Sequence, residues 1–126
     1  MDNKITGYLI DPAAKKAAPV TIQDTLEGYY SVLGCDTIDI VRRRIGKRRY
    51  TIVCDDNGLL SDDPLISALD PFGRVILVGA LLIVNDDGPN LASLTADDIA
   101  YIRRSISVQG TRRHPDGWPM LHNVSY

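Results

Sequence analysis

The sequence predicts an α+β fold, with a mainly antiparallel sheet of about five strands packed by two main helices and one short helix. Three observations predict it. Arg74–Val84 (RVILVGALLIV) is an almost unbroken apolar run, the pattern of a strand covered on both faces. Two β-rich runs flank Gly46-Lys47, as in a hairpin with a two-residue turn. Two amphipathic segments, opening near Asp24 and Thr95, carry helix-start signals.

Lys4–Ile10 reads as a first strand, with a loop from Asp11-Pro12 to Pro19 and a short partner strand at Val20-Thr21-Ile22. Asp24 is placed to cap a helix in which Glu27 reaches back. Leu26, Tyr29, Tyr30 and Leu33 form its apolar stripe, and Gly34 ends it. Asp36–Ile45 and Arg48–Asp55 then pair so that Ile45 faces Arg48 and Asp39 faces Cys54. In that register Arg42, Arg44 and Arg49 share one face, while Arg43 and Arg48 share the other. With both faces of its distal end charged, the hairpin is expected to leave the core and project into solvent. Cys35 lies about 13 Å of strand rise from Cys54, too far for a disulfide.

Asp56-Asn57-Gly58 reads as a turn, and Asp63-Pro64 as the start of a short helix ending at Asp70-Pro71. The apolar run would be the central strand, closed by Asn85-Asp86-Asp87-Gly88-Pro89; its length is about half a bilayer span. Thr95 with Asp98 opens the last helix, with Ile99, Ile102 and Ile106 as its stripe and Gly110 as its end. Residues 1–110 would form one domain. Thr111–Tyr126, with two prolines and no sustained period, reads as a tail, docked by Trp118, Met120 and Leu121 or partly mobile.

In order and spacing, the chain resembles a family of small uncharacterised proteins of bacteria, phages and mobile elements, catalogued as a domain of unknown function. The resemblance runs over about residues 5–105. It rests on Thr25-Leu26-Glu27-Gly28-Tyr29-Tyr30, Gly34–Val41, Ile45-Gly46-Lys47, Ile52–Leu60, Val78–Val84 and Leu94–Ile99. The family pattern favours Gly-Gly in the hairpin turn, Glu at Asn57 and Asn at Ala80. The resemblance implies an α+β fold and a mobile-element context, and it implies no activity.

Composition bounds the function classes. Hydrophobic residues at 44% and charged residues at 24% are ordinary for a soluble domain. The start lacks a basic segment followed by an apolar stretch, so the expected compartment is the cytosol, with both cysteines as thiols. Net charge is −2, but Arg42, Arg43, Arg44, Lys47, Arg48 and Arg49 hold six of the fourteen bases. This small cationic tip on an acidic body argues against binding of bulk duplex DNA.

No catalytic constellation, cofactor motif or metal-ligand spacing stands out. The aspartate pairs Asp55-Asp56, Asp62-Asp63, Asp86-Asp87 and Asp97-Asp98 fall at turns or helix starts, where Asp satisfies backbone donors. His114 and His122 lack a third ligand at metal-site spacing, and Gly46-Lys47 lacks the other residues of a phosphate loop. A Cys35–His dyad is weighed against a buried thiol, which is the simpler reading.

The arginines are the informative feature. Charges at a projecting edge can simply prevent sheet association. Six like charges within eight residues nevertheless repel one another, and three Arg on one face can fork onto phosphate or carboxylate oxygens. Arg112 and Arg113 have the same character, and Trp118 could stack on a base or simply dock on the core.

The expected function is therefore binding without turnover. The ligand would be a small nucleotide-like anion, sequestered by Arg42, Arg44, Lys47, Arg49, Arg112, Arg113 and Trp118, with no cofactor. A homodimer could wall the pocket. The rivals are inhibition of an acidic host protein, a nuclease or polymerase, through the basic hairpin, single-stranded nucleic acid binding, and an enzyme whose carboxylates converge on a cleft.

Overall fold

A computed structural model describes residues 3–56 and 64–126. Asn57 and Gly58 of the expected turn, and the capping Asp63, lie outside the described residues.

β1 (Lys4–Asp11) and β2 (Lys16–Gln23) form an antiparallel hairpin from Lys4↔Gln23 to Asp11↔Lys16. The second strand is thus longer than expected. Pro19, the expected close of the preceding loop, lies inside β2, which is an edge strand, where a missing N–H costs no ladder bond. α1 (Leu26–Leu33) is capped by Thr25, whose hydroxyl accepts from the Gly28 N–H at 3.1 Å; Asp24 instead accepts from the Tyr29 hydroxyl at 2.7 Å. Gly34 closes the helix at φ 66°, as its position predicts.

β3 (Ile38–Ile45) and β4 (Arg48–Asp55) pair in the expected register, Ile45 opposite Arg48 and Asp39 opposite Cys54. The apolar run is not one strand. It breaks at Gly79, φ 80°, into β6 (Val75–Val78) and β7 (Leu81–Asp87), and the two halves join different sheets. β7 is the central element foreseen: it lies between β4 and β1, and Leu81–Val84 are wholly buried. It runs on through the acidic residues, and Gly88-Pro89 turns it into β8 (Asn90–Ala92).

Where the short helix was expected, Ile66–Leu69 forms β5. It pairs antiparallel with β6 and parallel with β10 (Trp118–Leu121), and this non-local pairing overrides the local Asp-Pro signal. α2 (Ala96–Arg104) opens with the expected Thr95/Asp98 capping box. It ends at Ser105 rather than Gly110, because Ile106–Gln109 becomes β9 beside β10.

The C-terminal residues are not a tail. β10 lies inside the second sheet, between β5 and β9, and β11 (Val124–Ser125) pairs with β3. The expectation of about five strands falls short accordingly: one sheet of seven runs β11-β3-β4-β7-β1-β2 with β8 beside β7, and a second of four runs β6-β5-β10-β9. One face of the large sheet carries Tyr8, Ile10, Ile45, Tyr50, Ile52, Leu81 and Ile83, which pack with Ala68 and Leu121 of the second sheet and Ile102 of α2. The opposite face packs Ile5, Leu9, Val53, Leu82 and Val84 against Tyr29 and Leu33 of α1.

Candidate functional site

The arginine hairpin does not project. Its distal end is held by β11, with Val124 opposite Ile45, and by a Gly46 N–H bond to the Asn123 carbonyl at 2.9 Å. The Tyr101 hydroxyl also enters the turn. Ile45 is completely buried as a result.

The two arginine faces have different fates. On the second-sheet side, Arg48 reaches Asp97 at 2.9 Å and Asp98 at 3.6 Å while its guanidinium lies over the Tyr101 ring at 4.3 Å. Arg43 lies over the Tyr126 ring, also at 4.3 Å. On the α1 side, Arg42 contacts Asp86 at 3.6 Å, and the same Asp86 oxygen accepts from the Thr51 hydroxyl. Arg44 and Arg49 stand directly opposite each other, both exposed, with Lys47 exposed in the turn. Among the described residues no carboxylate pairs with Arg44, Lys47 or Arg49.

Arg112, Arg113 and Trp118 come together elsewhere. Thr111–Gly117 is a tight loop: the His114 carbonyl accepts from the Thr111 N–H at 2.9 Å and the Gly117 N–H at 3.0 Å. Gly117 has φ 71°, and a Cβ there would strike the Gln109 carbonyl oxygen, so the turn requires glycine. The loop and the start of β5 enclose a recess of about 320 Å³, lined by Pro64, Leu65 and Ile66 on one side and Thr111–His114 with Trp118 on the other. The expected union of hairpin and C-terminal arginines is not formed, since this recess includes none of Arg42, Arg44, Lys47 and Arg49. Nor is Trp118 an open stacking plane. It is buried, donates from Nε1 to the Ile66 carbonyl at 2.6 Å, and meets His114 edge to face at 5.3 Å.

The carboxylates mostly serve the fold. Burial raises the pKa of Asp98, but hydrogen bonds from Thr95, Asn85 and Tyr50 outweigh it and hold the carboxyl at about 2. Asp39, Asp55 and Asp56 border a recess of about 290 Å³ beside Cys54 and β6. Among the described residues no group of three His, Cys, Asp or Glu is placed to hold a metal. Burial pushes the Cys54 thiol up to about 11 and raises that of Cys35, and the two pack on opposite faces of the large sheet.

One contact was invisible in the sequence. Ser107 Oγ and His122 Nε2, fifteen positions apart, lie 2.7 Å from each other. Only the β9–β10 register brings them together. A serine and a histidine at that separation carry no motif, so no local signal could have found the pair.

Among the described residues no helix is long and apolar enough to cross a membrane. No curated protein and no solved structure matches the chain. The model of one family, described as a domain of unknown function (DUF3846), matches residues 5–107, and the chain belongs to that family.

Proposed function

We propose that the protein binds a small nucleotide-like anion in the recess bordered by Arg112, Arg113, His114 and Trp118, and so withdraws it from a host process on behalf of a phage or mobile element in the host cytosol. The carrying observation is that Arg112 and Arg113 share one recess with an apolar wall. Guanidinium groups fork onto phosphate oxygens, while Pro64, Leu65 and Ile66 offer an apolar surface for a base or ring. A volume of about 320 Å³ matches the lower end of small-molecule sites, roughly 300 Å³. Retention at such a site needs no turnover, and a second copy of the chain could deepen it.

Thermal shift against a panel of linear and cyclic nucleotides, with nucleosides as uncharged controls, tests this reading. Nucleotides should raise the melting temperature, Arg112→Glu should abolish the rise, and Arg44→Glu, outside the recess, should leave it intact. If no nucleotide shifts the transition at millimolar concentration, the reading is wrong.

A second reading has its own support. Like charges directly across a sheet are destabilising, yet Arg44 faces Arg49 on a face that also leaves Ile40 53% exposed. An exposed apolar residue on the same strand face as Arg42, Arg44 and Arg49 suits an acidic protein surface. Salt-sensitive retention on a polyglutamate matrix, lost in the double variant Arg44→Glu/Arg49→Glu and kept in Arg112→Glu, would support it.

A further inference from the structure

We propose that Ser107 and His122 form a nucleophile–base pair at the open edge of the second sheet, acting on small carboxylic esters that carry a negative charge. Ser107 is an exposed residue of β9, the outermost strand, and His122 directly follows β10. Met120 pairs with Ser107, so His122 is the diagonal neighbour of Ser107 on the same face. The 2.7 Å separation of Oγ and Nε2 is that of a hydroxyl donating to an imidazole nitrogen. In that arrangement the ring proton sits on Nδ1, and Nε2 is ready to receive the hydroxyl proton.

The backbone supplies a candidate for the third group. The His122 N–H donates to the Ser105 carbonyl at 2.7 Å, which sets the phase of the ladder. Pro119, with no N–H, then falls opposite Val108 at a position that exchanges no ladder bonds. The Val108 N–H therefore points off the free edge, one residue beyond the nucleophile. A backbone N–H in that position can donate to the oxyanion of a tetrahedral intermediate.

There is room for a substrate. A recess of about 260 Å³ borders Ser107 and His122 and has Arg104 in its wall, the feature that assigns a negative charge to the ester. On its other side His122 borders a space shared with Asp70. Asp70 does not orient the imidazole, because one of its oxygens accepts from the Phe72 and Arg74 N–H groups and the other faces Arg74. The site is a dyad.

In the first step Ser107 Oγ bonds to the ester carbonyl carbon and its proton passes to His122 Nε2. Collapse of the intermediate breaks the bond to the alcohol oxygen, which leaves with that proton, and the serine is acylated. Water then attacks the acyl carbon, gives a proton to Nε2, and releases the carboxylic acid as the proton returns to Oγ. None of these residues lines the Arg112 recess, so the two sites stand or fall separately.

The test uses the full chain, an alkyl fluorophosphonate probe with peptide mapping, and hydrolysis of p-nitrophenyl acetate against the monoanionic p-nitrophenyl succinate. The expected results are an adduct on Ser107 and loss of hydrolysis in Ser107→Ala. His122→Gln should slow labelling by about 100-fold, the scale of a positioned general base. The succinate ester should be preferred, and Arg104→Ala should erase that preference. Ser107 is exposed and His122 half-buried, so unchanged melting temperatures will show the variants folded, and Lys16→Ala, on the exposed edge strand β2, serves as an active control. An adduct elsewhere, no adduct, labelling indifferent to His122→Gln, or equal rates for the two esters would overturn the proposal.

Discussion

The Tyr101 hydroxyl donates to the Ile45 carbonyl at 2.7 Å, bolting α2 to the turn of the arginine hairpin. The same oxygen accepts from the Lys47 N–H at 3.1 Å. It also leaves no space at the intervening residue: a Cβ on Gly46 would come within 2.5 Å of it, and Gly46 has φ 61°.

Tyr101→Phe removes both bonds, one of them to the carbonyl of a wholly buried residue, and is expected to cost about 1–2 kcal/mol in urea unfolding. Gly46→Ala should cost at least as much, through both the left-handed backbone and the clash. Because the clash is with the missing hydroxyl, the double variant should be less destabilised than the sum of the two. Strict additivity in that cycle would mean that the hydroxyl does not fill the turn.

Asp98 gives the fold an acid limit. Its carboxyl titrates at about 2 in the folded protein against 3.8 ordinarily, so folding favours the ionised form. That contribution is complete above about pH 5, declines as pH falls below 3.8, and is lost as pH falls through about 2. With the side chain only 16% exposed, it amounts to about 2 kcal/mol. Denaturation midpoints at pH 5 and pH 2.5 should therefore differ in the parent and converge in Asp98→Asn. A gap of equal size in the variant would assign the acid sensitivity to other groups.

What could be read from the sequence was what neighbouring residues decide. The Thr95/Asp98 box, Gly34 at the end of α1 and the Ile45↔Arg48 register all depend on residues within a few positions of one another. The failures came where distant strands decide. Ile66–Leu69 has a helical lead-in but becomes a strand between β6 and β10. Gly79 sits in an unbroken apolar run yet hands the chain from one sheet to the other. Pro119 made Trp118–Leu121 look unlike a strand, although it occupies a position with no ladder bond to lose. For the site, the sequence singled out Arg112, Arg113 and Trp118 but joined them to a hairpin whose arginines lie outside that recess.

Arg44→Glu should separate stability from binding. Opposite Arg49 it replaces a cross-strand repulsion with an attraction, worth roughly 0.5 kcal/mol at an exposed pair. The variant should therefore melt slightly higher than the parent while its retention on polyglutamate falls. A variant that melts lower would show that Arg44 already contributes favourably where it stands.

Leu121→Ala tests whether the C-terminal strand is part of the core. Leu121 is wholly buried, pairs with Ala68 and Ile106, and packs in the same cluster as Ile52 and Ile83. Truncating it should cost about 2–5 kcal/mol, the range for a buried leucine. Leu82→Ala, in the middle of the large sheet and equally buried, should cost a similar amount. Both variants should unfold in one transition, since β10 is held on both sides and cannot peel away alone. A Leu121→Ala protein as stable as the parent would mean that residues 111–126 are an appendage, and Trp118→Phe would then be silent too. With the strand in place, Trp118→Phe leaves the Ile66 carbonyl without its 2.6 Å donor and should cost about 1 kcal/mol.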